Sequence, residues 1–86
     1  MNEIKIELSI IDSDKFLSLS PMAQALYFHL VARSDENGFI YNPKSILRAT
    51  ISNVDTLDLL IVEGFVKTLN DGISIIRENP FLKKGL

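Results

Sequence analysis

The stretch from Pro21 to Arg33 constrains the fold most, because it predicts an unbroken helix that is apolar on almost every side. Ser20 and Pro21 provide a capping hydroxyl followed by a proline in the first turn. The apolar residues after them are Met22, Ala23, Ala25, Leu26, Tyr27, Phe28, Leu30, Val31 and Ala32. Such a helix in a soluble protein is normally covered on several sides. We predict that it is central, with His29 packed and hydrogen-bonded.

Length and composition limit the classes of function. The 86 residues suit one domain, and 47% hydrophobic with 23% charged residues is an ordinary globular balance. Without cysteine and with one histidine, the chain has no disulfide, no thiol chemistry and no cysteine- or histidine-rich metal site. No membrane-length apolar run, signal peptide, phosphate loop or nucleophile motif is present. We expect a cytoplasmic, non-enzymatic module without cofactor, metal, small-molecule substrate or membrane partner.

The amino-terminal segment predicts a strand over residues 1–11. Four apolar residues alternate there with polar ones: Ile4, Ile6, Leu8 and Ile10. A period of two is typical of a strand with one buried face. Cover for that face comes either from the domain itself or from the same strand of a second copy, and both arrangements stay open. Ile4, Ile6 and Leu8 are therefore candidate interface residues, and we expect a homo-oligomer.

Capping and turn residues predict the order of the remaining elements. Asn42-Pro43 opens a helix, Ser52 caps the next one, Gly64 follows its end, and Asp71-Gly72 marks a hairpin. The predicted elements are helices at 21–33, 43–50 and 53–63 and strands at 39–41, 65–69 and 73–76. We predict an α+β fold, a single winged helix-turn-helix domain over residues 1–86. It has three main helices, a carboxy-terminal β-hairpin wing, the extra amino-terminal strand and a loose tail at 77–86.

Six short segments carry a resemblance to a known family. They are 11–16 (IDSDKF), 24–30 (QALYFHL), 35–40 (DENGFI), 42–44 (NPK), 59–61 (LLI) and 64–66 (GFV). The chain resembles the amino-terminal domain of phage replication-initiation proteins, the replisome organisers related to the DnaD primosome family. The resemblance implies a winged-helix domain that assembles replication proteins on DNA, often by self-association. In that family further carboxy-terminal segments follow the domain.

The third predicted helix, 53–63, favours protein contacts over DNA contacts. Its core face has Val54, Leu57, Leu60 and Ile61, and its other face has Asp55, Thr56, Asp58, Leu59, Val62 and Glu63. The second face contains no lysine or arginine, and its three acids repel phosphate. Leu59 and Val62 are candidate anchors of a protein interface with Asp55, Asp58 and Glu63 at its rim. The alternative is that two apolar residues are merely scattered on the surface.

The basic residues are concentrated elsewhere. Residues 42–51 have a net charge of +2 and residues 52–64 a net charge of −3. The candidate phosphate contacts are Lys44 and Arg48 on one face of the second helix, Lys67 and Arg77 in the hairpin, and Lys83 and Lys84 in the tail. These residues form either a weak DNA-contacting patch or an ordinary solvated surface. Tyr41 is the only aromatic residue near them for stacking on a single strand.

The leading hypothesis is a winged-helix module of a phage-type DNA replication initiator. It would act by self-association and by docking replication proteins. One alternative is a DNA-binding winged helix that contacts phosphates through the second helix and the wing. Another is a small acidic inhibitor or antirepressor built on Asp55, Asp58 and Glu63.

Overall fold

A computed structural model describes residues 6–50 and 52–76. Within these ranges the protein is a mixed α+β fold with five helices and one three-stranded antiparallel sheet, compatible with a winged-helix-like fold. The elements are α1 (Leu8–Ile11), α2 (Asp14–Leu17), α3 (Pro21–Arg33), β1 (Phe39–Ile40), α4 (Pro43–Ala49), α5 (Val54–Val62), β2 (Val66–Leu69) and β3 (Gly72–Ile75). The α+β class and the order of elements from α3 onward are confirmed.

Helix α3 lies at the centre of the core, and only one of its sides is buried. The Ser20 hydroxyl oxygen accepts the Ala23 N–H at 3.2 Å, as the cap predicted. The buried residues of α3 are Ala23, Leu26, Tyr27, Leu30 and Val31, and both α4 and α5 pack against the helix. Met22 and His29 are exposed, so the prediction of cover on several sides is wrong. His29 is nevertheless hydrogen-bonded, as predicted: its ring Nδ1 lies 3.1 Å from Arg33 Nη1. Two of the other exposed apolar residues of α3 are alanines, whose small side chains lose little by staying in water.

A cluster of aromatic rings joins the helical elements. The Phe16 ring on α2 lies 5.2 Å from Tyr27, 5.7 Å from Phe28 and 5.6 Å from Phe65, measured between ring centroids. All three contacts are T-shaped, which is a favoured arrangement of aromatic pairs. Phe16 and Phe65 are almost completely buried. The cluster therefore fixes α2 and the end of α5 against the middle of α3.

Residues 8–11 do not form the predicted strand. They are helix α1, in which Ile10 is buried and Ile11 packs partly against the same core. Leu8, which the strand would have buried, is 64% exposed. Consecutive residues of a strand point to opposite faces, so a strand cannot turn both isoleucines toward one core, whereas a helical turn can. The strand prediction is wrong over 6–11, because residues 6 and 7 are irregular and residues 8–11 are helical. Residues 1–5 lie outside the described part of the chain.

The sheet has the order β1-β3-β2 and is built on a tight hairpin. Leu69 of β2 pairs with Gly72 of β3, and two residues, Asn70 and Asp71, form the loop between them. Gly72 therefore belongs to β3, one residue earlier than predicted. Strand β1 passes so close to it that a Cβ atom at Gly72 would overlap the carbonyl oxygen of Ile40. Only glycine fits at this point of the sheet.

Local hydrogen bonds define both ends of α5. The cap is Asn53, whose side-chain oxygen accepts the Thr56 N–H at 2.8 Å, so the prediction of a Ser52 cap is wrong by one residue. At the other end Gly64 has φ 89°, its N–H donates to Ile61, and the Phe65 N–H donates to Leu60. This pair of bonds is a Schellman motif, which satisfies the last carbonyls of the helix and needs glycine at the left-handed position.

Candidate protein interface on helix α5

Helix α5 turns two of its three leucines inward and leaves the opposite side uncovered. Leu57 and Leu60 are buried, as predicted. Val54 was predicted to be core but is 54% exposed. At 100° per residue Val54 lies about 90° around the helix from the middle of the buried side, so it does not reach the core. The α5 outer face consists of Asp55, Asp58, Leu59 and Val62, all exposed.

Leu59 and Val62 differ in their surroundings. Thr56, Leu59 and Glu63 lie along one line of the helix, at spacings of three and four residues. The Thr56 hydroxyl contacts the Met22 sulfur of α3 at 3.6 Å. Glu63 forms an ion pair with Lys15 of α2, with 3.0 Å between Glu63 Oε1 and Lys15 Nζ. Leu59 therefore lies between two contacts to neighbouring helices.

The exposed fractions follow from this arrangement. Leu59 is 37% exposed, whereas Val62 projects outward and is 79% exposed. Met22 is 52% exposed beside Thr56 and adds apolar surface next to the α5 outer face. Sequence reasoning placed Met22 in the central helix and did not find this contribution. The signal was weak, because only the packing of α5 on α3 brings the two residues together.

The predicted acidic rim is divided. Asp55 and Asp58 are exposed and form no ion pair with another described residue. The Glu63 side chain is half-buried and its charge is compensated by Lys15. The α5 outer face thus carries two uncompensated negative charges and no positive one. This charge is unfavourable for phosphate and suits a partner with basic or neutral polar groups around an apolar centre.

The candidate phosphate contacts are not gathered in one place. Lys44 and Arg48 are exposed and lie four residues apart on α4. Lys67 is exposed on β2, and β3 separates β2 from β1, the strand that leads into α4. None of these three residues forms an ion pair with another described residue. Arg77, Lys83 and Lys84 lie outside the described residues.

The amino-terminal interface residues are placed differently from the prediction. Ile6 is in irregular backbone and Leu8 is in α1, and both are exposed. They do not form one face of a strand, because Leu8 is helical. Ile4 lies outside the described residues.

The described part of the chain shows no metal-binding group and no membrane-spanning helix. Over residues 6–50 and 52–76, no three histidine, cysteine, aspartate or glutamate side chains gather in a way that suits a metal ion. In the same ranges no helix has the length and apolar character needed to cross a bilayer.

Comparison with known proteins gives no further guide, since no family model, no curated protein and no solved structure matches this chain. The resemblance to phage replication initiators therefore stays a prediction from the sequence.

Proposed function

We propose that this protein is a winged-helix assembly module of a phage-type DNA replication initiator. It self-associates and docks replication proteins through the α5 outer face. The observation that carries the proposal is the composition of this face: Val62 is 79% exposed and Leu59 37%, beside two acids and without a base. In a helix-turn-helix protein that reads DNA, the helix in this position meets the major groove.

The charge on α5 argues against that mode of DNA binding. Side chains that read bases are mostly arginine, lysine, asparagine and glutamine, and phosphate contacts need positive charge. Asp55 and Asp58 would instead repel the backbone of a duplex. An apolar centre with a polar rim is the usual composition of a protein interface. The family resemblance points in the same direction, because it implies self-association during replisome assembly.

The test is sedimentation velocity of wild type and Val62→Lys over a range of protein concentrations. Val62 makes few contacts within the domain, so the variant should keep the circular dichroism spectrum of the wild type. We expect Val62→Lys to shift self-association to at least tenfold higher concentration, since a buried charge at the centre of an interface is costly. Ala32→Lys, which adds the same charge at an exposed position near the end of α3, is the matched control.

The results separate clearly. Loss of association in Val62→Lys but not in Ala32→Lys supports the α5 outer face as the interface. Equal association of both variants and wild type contradicts it. A wild-type chain that stays monomeric at all concentrations contradicts self-association, and the α5 outer face would then serve only a different protein.

A second candidate function is DNA binding through α4. It is favoured by Lys44 and Arg48, which share one exposed face and have no ion-pair partner among the described residues. The double variant Lys44→Glu, Arg48→Glu should then abolish binding of labelled duplex DNA and remove its steep salt dependence. Retained binding in this variant contradicts the second candidate.

A further inference from the structure

We infer that the outer surface of the three-stranded sheet binds single-stranded nucleic acid, with Tyr41 and Phe39 as a stacking platform and Lys67 as a phosphate contact. This inference is independent of the α5 outer face. It concerns a surface whose charge is positive, whereas the α5 outer face is acidic. It rests on the register of the strands, which brings together residues that are up to 35 positions apart in the sequence.

Strand pairing places five residues on this surface, in two rows, and Tyr41, which directly follows β1, joins the second row. In the first row Phe39 pairs with Ser74, and Ser74 pairs with Lys67. In the second row Gly72 pairs with Leu69, and the Tyr41 Cα approaches Gly72 from the other side. The opposite surface of the sheet is formed by residues that face the core, among them Ile40, Ile73 and Ile75. We call Phe39, Tyr41, Gly72, Ser74, Lys67 and Leu69 the sheet outer face.

The two rows have their larger side chains at the edges and their smaller ones in the middle. The aromatic side chains stand on the β1 side, and Lys67 and Leu69 stand on the β2 side. The middle strand contributes only glycine and serine, so little side-chain bulk fills the space between. Adjacent strands are about 4.8 Å apart, which puts the aromatic side and the lysine side about 10 Å from each other.

The aromatic rings on the β1 side have two properties that favour stacking, an open ring face and restricted rotation. The rings of Phe39 and Tyr41 make a T-shaped contact with 4.3 Å between their centroids. Tyr41 is nevertheless 71% exposed. A single T-shaped neighbour covers at most one face of the ring, so a face of Tyr41 stays open. Phe39 limits the rotation of this ring, which lowers the entropy lost when a base stacks on it.

The charge on the sheet outer face suits a phosphate backbone. Lys67 is its only charged residue, and Lys44 lies three residues beyond Tyr41 at the start of α4. Asp35, Glu36 and Asp71 belong to the turns that flank the strands. The Asp35 carboxylate accepts the N–H groups of Asn37 and Phe39 at 2.8 and 2.9 Å, so it holds the turn before β1. An exposed aromatic ring together with positive charge is the combination that proteins use to bind single strands without sequence preference, and Tyr41 and Lys67 supply both on this face.

The experiment is fluorescence anisotropy of a labelled oligothymidine, about ten nucleotides long, titrated with the full chain at several salt concentrations. Tyr41→Ala should weaken binding about fivefold to a hundredfold, which is the range that stacking of one base supplies. Tyr41→Phe keeps the ring and should bind within about twofold of the wild type. Lys67→Gln should reduce the slope of log K against log salt by about 0.7, the value for one phosphate contact on a single strand.

Two controls make the test specific. Arg33→Gln removes one positive charge at the exposed end of α3 and should leave the salt slope unchanged. Val62→Lys disturbs the α5 outer face and should not weaken oligothymidine binding, so this inference and the proposed assembly function fail separately.

Four results would overturn the inference. They are no binding of oligothymidine by wild type at low salt, equal binding by Tyr41→Ala, tighter binding of a duplex than of the single strand, and an equal change of salt slope in Arg33→Gln. If wild type does not bind the oligonucleotide and Tyr41→Ala loses self-association, the sheet outer face docks a second copy instead.

Discussion

The protein uses aromatic side chains in two different ways. Around α2 and α3, the rings of Phe16, Tyr27 and Phe65 are buried and pack edge to face. On the sheet outer face, Phe39 and Tyr41 make the same kind of contact, yet Tyr41 is largely exposed. The ring geometry is alike in both places, so geometry does not distinguish a structural ring from an available one. Burial does, because only the first group is enclosed by other elements.

The largest expected effect is on the buried group. Phe16→Ala should lower the free energy of unfolding by about 3–5 kcal/mol, since it removes three ring contacts and leaves a cavity. The measurement is urea unfolding followed by circular dichroism, with the midpoint and slope compared to wild type. Phe16→Leu keeps most of the volume and should cost clearly less. A Phe16→Ala variant as stable as wild type would show that the cluster does not hold α2 and α3 together.

A smaller loss is expected where the exposed group meets the sheet. Gly72→Ala should destabilise the domain by about 1–3 kcal/mol, because the new Cβ would overlap the Ile40 carbonyl and force β1 away from β3. Moving β1 also displaces Tyr41, so oligothymidine binding should weaken in the same variant. Gly38→Ala is not an equivalent control, since Gly38 has φ 82° and is strained by any side chain. Ser74→Ala, at the next outward position of β3, should leave the stability unchanged, because the serine already has a Cβ atom there.

Within the aromatic pair of the sheet outer face, the two rings should differ in their effect on stability. Phe39 is half-buried and supports Tyr41, so Phe39→Ala should cost about 0.5–1.5 kcal/mol, the range for one aromatic pair. Thermal unfolding by circular dichroism measures this loss. Phe39→Leu keeps an apolar side chain but removes the ring contact. It therefore separates the contribution of the aromatic pair from the contribution of apolar burial. If both variants unfold as wild type does, Phe39 does not fix the Tyr41 ring.

The smallest effect on stability is expected at Tyr41 itself. Tyr41→Ala should lower the free energy of unfolding by about 0.5 kcal/mol, the lower end of the range for one aromatic pair, because the side chain is 71% exposed and buries little other surface. The contrast with Phe16→Ala in the same urea experiment is the sharpest form of the comparison between the two aromatic groups. A large loss of stability in Tyr41→Ala would mean that this ring also belongs to the structure and is not kept available for a ligand.

Much of the fold was predictable because its signals are local. Ser20 caps α3, Gly64 ends α5 in the left-handed region, and Asn70-Asp71 joins β2 to β3, close to the positions that their neighbours in sequence indicate. Caps and tight turns depend on hydrogen bonds over two to five residues, so the sequence contains all the partners. The candidate anchors Leu59 and Val62 were found in the same way, from helical spacing.

What the sequence did not decide is which apolar side of each element meets the core. Helix α1 replaces a strand because two adjacent isoleucines, Ile10 and Ile11, both pack toward the core. Val54 was assigned to the core by periodicity and is exposed, because it lies about 90° around α5 from the middle of the buried side. Met22 belongs to a helix that was predicted to be covered on several sides, and it is exposed because only one side of α3 is buried. These outcomes depend on contacts between residues far apart in the chain. A local sequence pattern contains no information about such contacts.

By itself, then, the sequence determined the Ser20 cap of α3, the turns, the order of elements from α3 to β3 and the acidic character of α5. Only the tertiary structure decided that Phe39, Tyr41 and Lys67 share one surface. It also decided that Leu59 lies between two contacts to neighbouring helices, whereas Val62 projects outward. The physical reason is the distance along the chain between the residues that interact. Hydrogen bonds within a turn involve neighbours, whereas strand register and helix packing are chosen by the free energy of the whole core.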